Sequence, residues 1–200
     1  KKNIKQLITI PENQKNKYDF ILILNNFDQV LSSKISIVEE VRKFIKIFKD
    51  LRLSYLIKFH PKNNISDFEK EFEKKNIIQI NELLEDSISR GKNIIFFTSN
   101  GIFKSISLEK KTYHYVPLYN KKKEFVDKLP DWAKRMYLVK KDNKYTNHFL
   151  HSMYCKEFNN SEEIKEIIQE GTSNDYQLFN DNFYTDKSTE RTLDFIKNYK

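Results

Sequence analysis

Apolar residues in this 200-residue chain come in short unbroken runs, separated by stretches that are apolar on one side only. Phe20-Ile21-Leu22-Ile23-Leu24 is the first such run. A run of that length without polar interruption is the pattern of a strand covered on both faces, as in a parallel sheet. From Ile35 to Leu51 the period changes, with apolar residues at 35, 38, 41, 44, 45, 48 and 51. That is close to 3.6 residues per turn and predicts an amphipathic helix. Leu53 to Phe59 reads as a second strand, stopped by Pro61, which has no amide to give a sheet.

The alternation continues. Ser66 to Lys75 reads as a charged helix with Phe68 and Phe72 one turn apart, and Ile77 to Ile80 as a short strand. Asn81 is placed to cap a helix running through Ser89, with Glu82 favourable in its first turn. Asn93 to Phe97 is another apolar strand, Gly101 to Leu108 a short helix, and Lys111 to Val116 a strand ending before Pro117. Strands and helices in strict alternation imply an α/β fold: a Rossmann-like parallel sheet with helices on both faces.

Outside that core the pattern loosens. Residues 1–17 read as a linker or edge segment, 18–120 as the Rossmann-like core, and 121–200 as a mainly helical extension packing on it. In the extension, Trp132 and Tyr137 are expected to pack back. Asn160 and Glu163 form a capping box for a helix to about Glu170, and Ser188 caps a terminal helix carrying Leu193, Phe195 and Ile196.

Composition narrows the function. The net charge of +8 comes mainly from lysine: five arginines (42, 52, 90, 135, 191) leave 31 lysines, interleaved with acidic residues. Nucleic-acid readers usually cluster their charge and use arginine for bidentate contacts, so no nucleic-acid partner is expected. Lys121-Lys122-Lys123 is the compact basic run: either a solvated loop or a patch for anionic lipid or another polyanion. No apolar run nears the roughly 20 residues of a membrane helix. The expected location is the cytoplasm, with peripheral attachment to the inner membrane face through Lys121–Lys123. The single cysteine, Cys155, excludes an internal disulfide and reads as a buried or half-buried thiol. The opening Lys1-Lys2-Asn3 has no initiator Met, which suits a piece of something longer.

Candidate chemistry falls where open parallel sheets bind ligands, beyond the carboxyl ends of the strands. After the second strand comes Lys58-Phe59-His60-Pro61-Lys62. His60 there can donate to a phosphate oxygen between two lysines, or can be satisfied by backbone alone. After a later strand comes Thr98-Ser99-Asn100-Gly101. Its hydroxyls and the following helix N-terminus suit an anion, or equally an ordinary helix cap. His148 and His151 share a helical spacing, but no third ligand stands in register and no metal is expected. There is no glycine-rich phosphate loop and no G-x-G-x-x-G, and no nucleophile elbow accompanies any Ser-His-Asp set. Tyr113, Tyr115 and Tyr119 read as packing residues.

The order of buried strand, long helix, KFHPK, short strand, ELLE helix and FFTSNG resembles the C-terminal half of bacterial GT-B glycosyltransferases. The nearest are sialyltransferases and polysialyltransferases with an HP motif and a later Ser-Ser/Thr motif. CDP-glycerol glycerophosphotransferases and capsule Kdo transferases share the layout. The resemblance spans residues 18–118, with a fainter echo at Ser188-Thr189-Glu190-Arg191. It implies a cytidine-nucleotide sugar donor, CMP-sialic acid foremost, a glycan acceptor, no cofactor or metal, and a role in surface polysaccharide or lipooligosaccharide synthesis. His60 would be catalytic, stabilising the departing nucleotide. His60, Pro61, Lys58, Lys62, Thr98, Ser99 and Asn100 would surround the donor phosphate. One element of the family is missing: none of the three glycines, 91, 101 and 171, follows two acids, so the acidic-acidic-Gly motif holding the general base is not in this chain. A CDP-glycerol or ribitol phosphotransferase or a Kdo transferase is the alternative implied by the resemblance. A non-catalytic polyanion-binding domain is the alternative outside it.

Overall fold

A computed structural model describes residues 9–25, 34–63, 70–97, 99–117, 127, 129–141 and 144–170. The strands β1 (Tyr18–Ile23), β2 (Tyr55–Lys58), β3 (Gly91–Phe96) and β4 (Lys111–Tyr115) form a parallel sheet. The helices α1 (Lys34–Asp50), α2 (Leu84–Ser89) and α3 (Gly101–Ser107) connect them. The fold is therefore α/β with a Rossmann-like sheet.

The continuous apolar runs are explained by the two cores they divide between. Phe20, Leu22 and Leu24 of the first run face one way, packing with Ile37, Val41, Phe44 and Phe48 of α1. Ile21 and Ile23 face the other way, toward Ile88 of α2 and Ile102 and Ile106 of α3. Ile94 and Ile95 of β3 split in the same manner. Successive side chains on a strand point to opposite faces, so a sheet covered twice needs apolar residues at every position.

Beyond Pro117 the described chain holds α4 (Asp131–Tyr137), a hairpin of β5 (Leu138–Lys141) with β6 (Lys144–Phe149), then β7 (Lys156–Phe158) and α5 (Ile164–Glu170). So 121–200 is not helix alone. β7 pairs in parallel with β4 and completes the sheet in the order β2-β1-β3-β4-β7. Phe158, Ile164 and Ile167 then join the α1 face of the core. The Asn160–Glu163 capping box is present: Asn160 Oδ1 accepts from the Glu162 amide at 3.1 Å, and Glu163 Oε1 accepts from the Asn160 amide at 2.9 Å. Residues 9–17 are tied to α2. Asp86 accepts from the Thr9 amide and hydroxyl, and the Asn16 amide donates to the Ser89 carbonyl.

Four local expectations are corrected. The described part of 66–75 is a turn followed by a short 3-10 turn at Lys74–Asn76. Phe72 plugs inward against Phe59, and Lys49 holds Glu73, laying the segment along α1. The strand at 77–80 shrinks to one bridge between Ile57 and Ile77. Asn81 does not cap α2, which starts at Leu84 behind Leu83. Lys58 causes both of these, because its ammonium holds the carbonyls of Gln79, Ile80 and Glu82 in a turn at 2.7, 3.1 and 2.8 Å. Glu82 instead pairs with Arg90 at 2.8 Å. Finally, Trp132 does not pack back. It is 49% exposed, since Ala133 is the α4 residue turned into the small core of Val116, Leu129 and Leu138. The side chain of Tyr137 and the expected helix at Ser188 lie outside the described residues.

Candidate functional site

The chain runs from β1 outward to β2, then returns across the sheet to β3 on the other side of β1. Strand order therefore reverses between β1 and β3. In open α/β sheets the crevice at the carboxyl ends beside such a reversal is where ligands bind. The Lys62 and Ser99 segments both leave the sheet at this edge, from β2 and β3 respectively.

His60 is half-buried two residues past β2. Its Nδ1 accepts the backbone N–H of Lys62 at 3.2 Å, within the tight turn that Pro61 stiffens. A nitrogen that accepts carries no proton, so the neutral ring bears its hydrogen on Nε2. Burial, helped by the Lys62 charge, holds the His60 pKa below the usual histidine value, which favours that neutral form. Nε2 has no protein partner among the described residues. His60 thus presents one oriented N–H donor at the sheet edge. Lys62 is exposed beside it.

Lys58 does not share the site. It is only 4% exposed, and its three donors are committed to the three backbone carbonyls of the 79–82 turn. Its reach is structural, because a buried ammonium with three carbonyl acceptors has nothing left for a phosphate.

Ser99 is half-buried, and its Oγ accepts the Gly101 amide at 3.2 Å. Its carbonyl takes the Ile102 amide at 3.1 Å, and the Asn100 carbonyl takes the Phe103 amide at 3.2 Å. The first three amides of α3 are therefore occupied, and the expected open helix terminus is not there. What remains for a ligand is the Ser99 hydroxyl hydrogen. Gly101 serves packing: a Cβ there would fall 2.8 Å from Phe96 and 2.9 Å from Leu84. Asn100 is exposed, and Thr98 lies outside the described residues.

Two features at this edge carry no sequence motif. Asn25, just past β1, is buried, and its carbonyl accepts from the side chain of buried Asn63 at 3.1 Å. Asn63 belongs to the His60 turn, closed by its own amide on the His60 carbonyl at 2.9 Å. Buried asparagines in such a place are a signal only once the topology is known.

Elsewhere, His114 is fully buried and shares a hydrogen bond with Ser152, whose hydroxyl donates to Glu157. Burial pushes the Cys155 thiol up to about 12, leaving no thiolate. Tyr113 and Tyr115 are core residues, as expected. Among the described residues no cluster of three His, Cys, Asp or Glu could hold a metal, and no helix is long and apolar enough to cross a membrane. Lys121–Lys123, Tyr119 and the side chains of His148 and His151 lie outside the described residues.

No family model matches the sequence, and no curated protein matches it. Among solved structures, the chain is similar to the wall teichoic acid polymerase TagF at 13% identity and a TM-score of 0.47. That alignment covers 98% of this chain and 46% of the other, so the chain spans about half the length of that protein.

Proposed function

We propose that this chain is the donor-binding half of a GT-B-type glycosyltransferase using a cytidine-nucleotide sugar, with CMP-sialic acid as donor. The observation that carries the reading is the His60 ring: Nδ1 is occupied by the Lys62 amide, and among the described residues Nε2–H is left as an oriented donor near the strand reversal. Such a donor meets a phosphate oxygen and strengthens its bond as the nucleotide departs and negative charge builds there. The Ser99 hydroxyl supplies a second donor, and Lys62 a nearby positive charge. The role assigned is donor binding and leaving-group stabilisation. A CDP-glycerol-type transferase would use the same phosphate contact, so the donors themselves separate the two.

Calorimetric titration with CMP, CDP, CDP-glycerol and UDP tests this. CMP or CDP should bind, and His60→Ala should weaken that binding at least tenfold, about 1.4 kcal/mol. Absence of CMP and CDP binding, or binding indifferent to His60→Ala, refutes the reading. CDP-glycerol binding with none for CMP moves the donor to the glycerol phosphate class.

Titration of His60 gives a second check. Its lowered pKa means the folded chain holds this proton less tightly than the unfolded chain. Its contribution to stability is thus present above the unfolded value of roughly 6.5 and fades as pH falls through the lower folded value. Ring-proton NMR should show a midpoint below 6.5 without ligand, moving up when CMP binds, because the phosphate charge favours imidazolium. A midpoint at or above the ordinary value, or one that ignores CMP, contradicts the assignment.

A further inference from the structure

Asn25 holds an unpaid hydrogen-bond debt at the strand reversal. The residue is 9% exposed, and its Oδ1 is shut away from solvent with no donor among the described residues. Buried polar atoms are nearly always paired, and an exception calls for an explanation. Asn159 Oδ1 is a second such atom, but it follows β7 at the far edge of the sheet. Asn25 is different in its neighbours. Ile23 pairs with Lys58 of β2 and with Phe96 of β3, so β1 runs between the two strands that lead to His60 and Ser99. Asn25 and His60 each stand two residues beyond the paired Ile23 and Lys58, at the same end of neighbouring strands. The Asn63–Asn25 hydrogen bond ties the two segments together.

We propose that Asn25 is a specificity-determining residue whose Oδ1 accepts a hydrogen bond from a hydroxyl or amino group of the bound nucleotide. The proposal rests on the reading that His60 meets that nucleotide's phosphate. The chemistry separates the two contacts. A fully ionised phosphate has acceptors only, so it suits His60 Nε2–H and gives nothing to Oδ1. A ribose hydroxyl or the exocyclic amine of cytosine supplies the missing donor. Neighbouring strand ends then offer one donor and one acceptor, which selects a nucleotide over a bare phosphate.

The test compares CMP with methyl phosphate, which is fully ionised at pH 8, on the whole chain and on Asn25→Leu, a change of similar volume without the orphan oxygen. Removing an unmet acceptor should raise the Tm of the ligand-free protein by about 2–4 °C. CMP affinity should fall at least tenfold, while methyl phosphate affinity stays within twofold. If Asn25→Leu leaves CMP affinity intact, or weakens both probes equally, the proposal is wrong. Should Asn25→Leu not fold, the wild type decides: the Asn25 side-chain amide resonances must shift with CMP and stay put with methyl phosphate. Wild type that binds methyl phosphate through His60 but binds CMP no more tightly overturns the role of Asn25 alone. Wild type that binds neither overturns the phosphate reading with it.

Discussion

Lys58→Ala should destabilise the protein by about 3 kcal/mol, read as a lower denaturation midpoint at unchanged slope. The ammonium makes three hydrogen bonds to backbone carbonyls, of Gln79, Ile80 and Glu82, at 2.7 to 3.1 Å. Hydrogen bonds from a charged group contribute about 1.5–3 kcal/mol each, which sets the gross loss. Part is returned, because the variant no longer buries a charge, and burial already holds this lysine below its usual range against the pull of Glu82. The net remains unfavourable, because three carbonyls lose their donor at once. The damage should be local. Amide exchange should accelerate at Ile78 and Ser87, whose N–H groups are held by Ile57 and Leu83. Nucleotide affinity of the folded fraction should survive, since His60 draws its orientation from Lys62 and not from Lys58. A tenfold loss of affinity in Lys58→Ala would restore the phosphate-binding role that the side chain's three carbonyl bonds argue against.

Lys58 also shows where sequence reading reaches its limit. The strand that carries it was legible, because a sheet with helices on both faces leaves its own period-free apolar run. The fate of the lysine was not, since it depends on a turn more than twenty residues further along the chain. The same holds for β7, whose Lys-Glu-Phe has a single apolar residue and becomes a strand only because β4 offers an open edge. At the site, His60 was legible from the strand-end proline that follows it. The direction of its proton was not, because that comes from the backbone amide of Lys62. Ser99, from its position before a helix, was open to two readings, an anion ligand or an ordinary helix cap. The structure turns its Oγ onto the Gly101 amide, the competing use that any serine before a helix has available.

Phe44→Ala should be the more damaging change, costing about 3–5 kcal/mol. Phe44 is fully buried on α1. Its ring meets Tyr115 edge-on at 4.9 Å, Phe97 at 5.8 Å, Phe158 at 5.9 Å and Phe48 at 6.0 Å. Those partners come from the ends of β3, β4 and β7 and from its own helix, so one side chain joins α1 to three strands. Aromatic pairs in such geometry add about 0.5–1.5 kcal/mol beyond the area they bury, and the sheet's rigid neighbours leave little room to collapse into the void. Phe44→Leu should cost clearly less, because most of the volume is kept. The consequence reaches the candidate site through Phe97, which stands between β3 and Ser99 and packs directly on Phe44. Under conditions where Phe44→Ala remains folded, it should weaken CMP binding as well, whereas an equally destabilising change on the opposite face, such as Ile106→Ala, should not. Equal effects of the two on CMP affinity would show that the α1 face does not position the strand ends of the proposed nucleotide site.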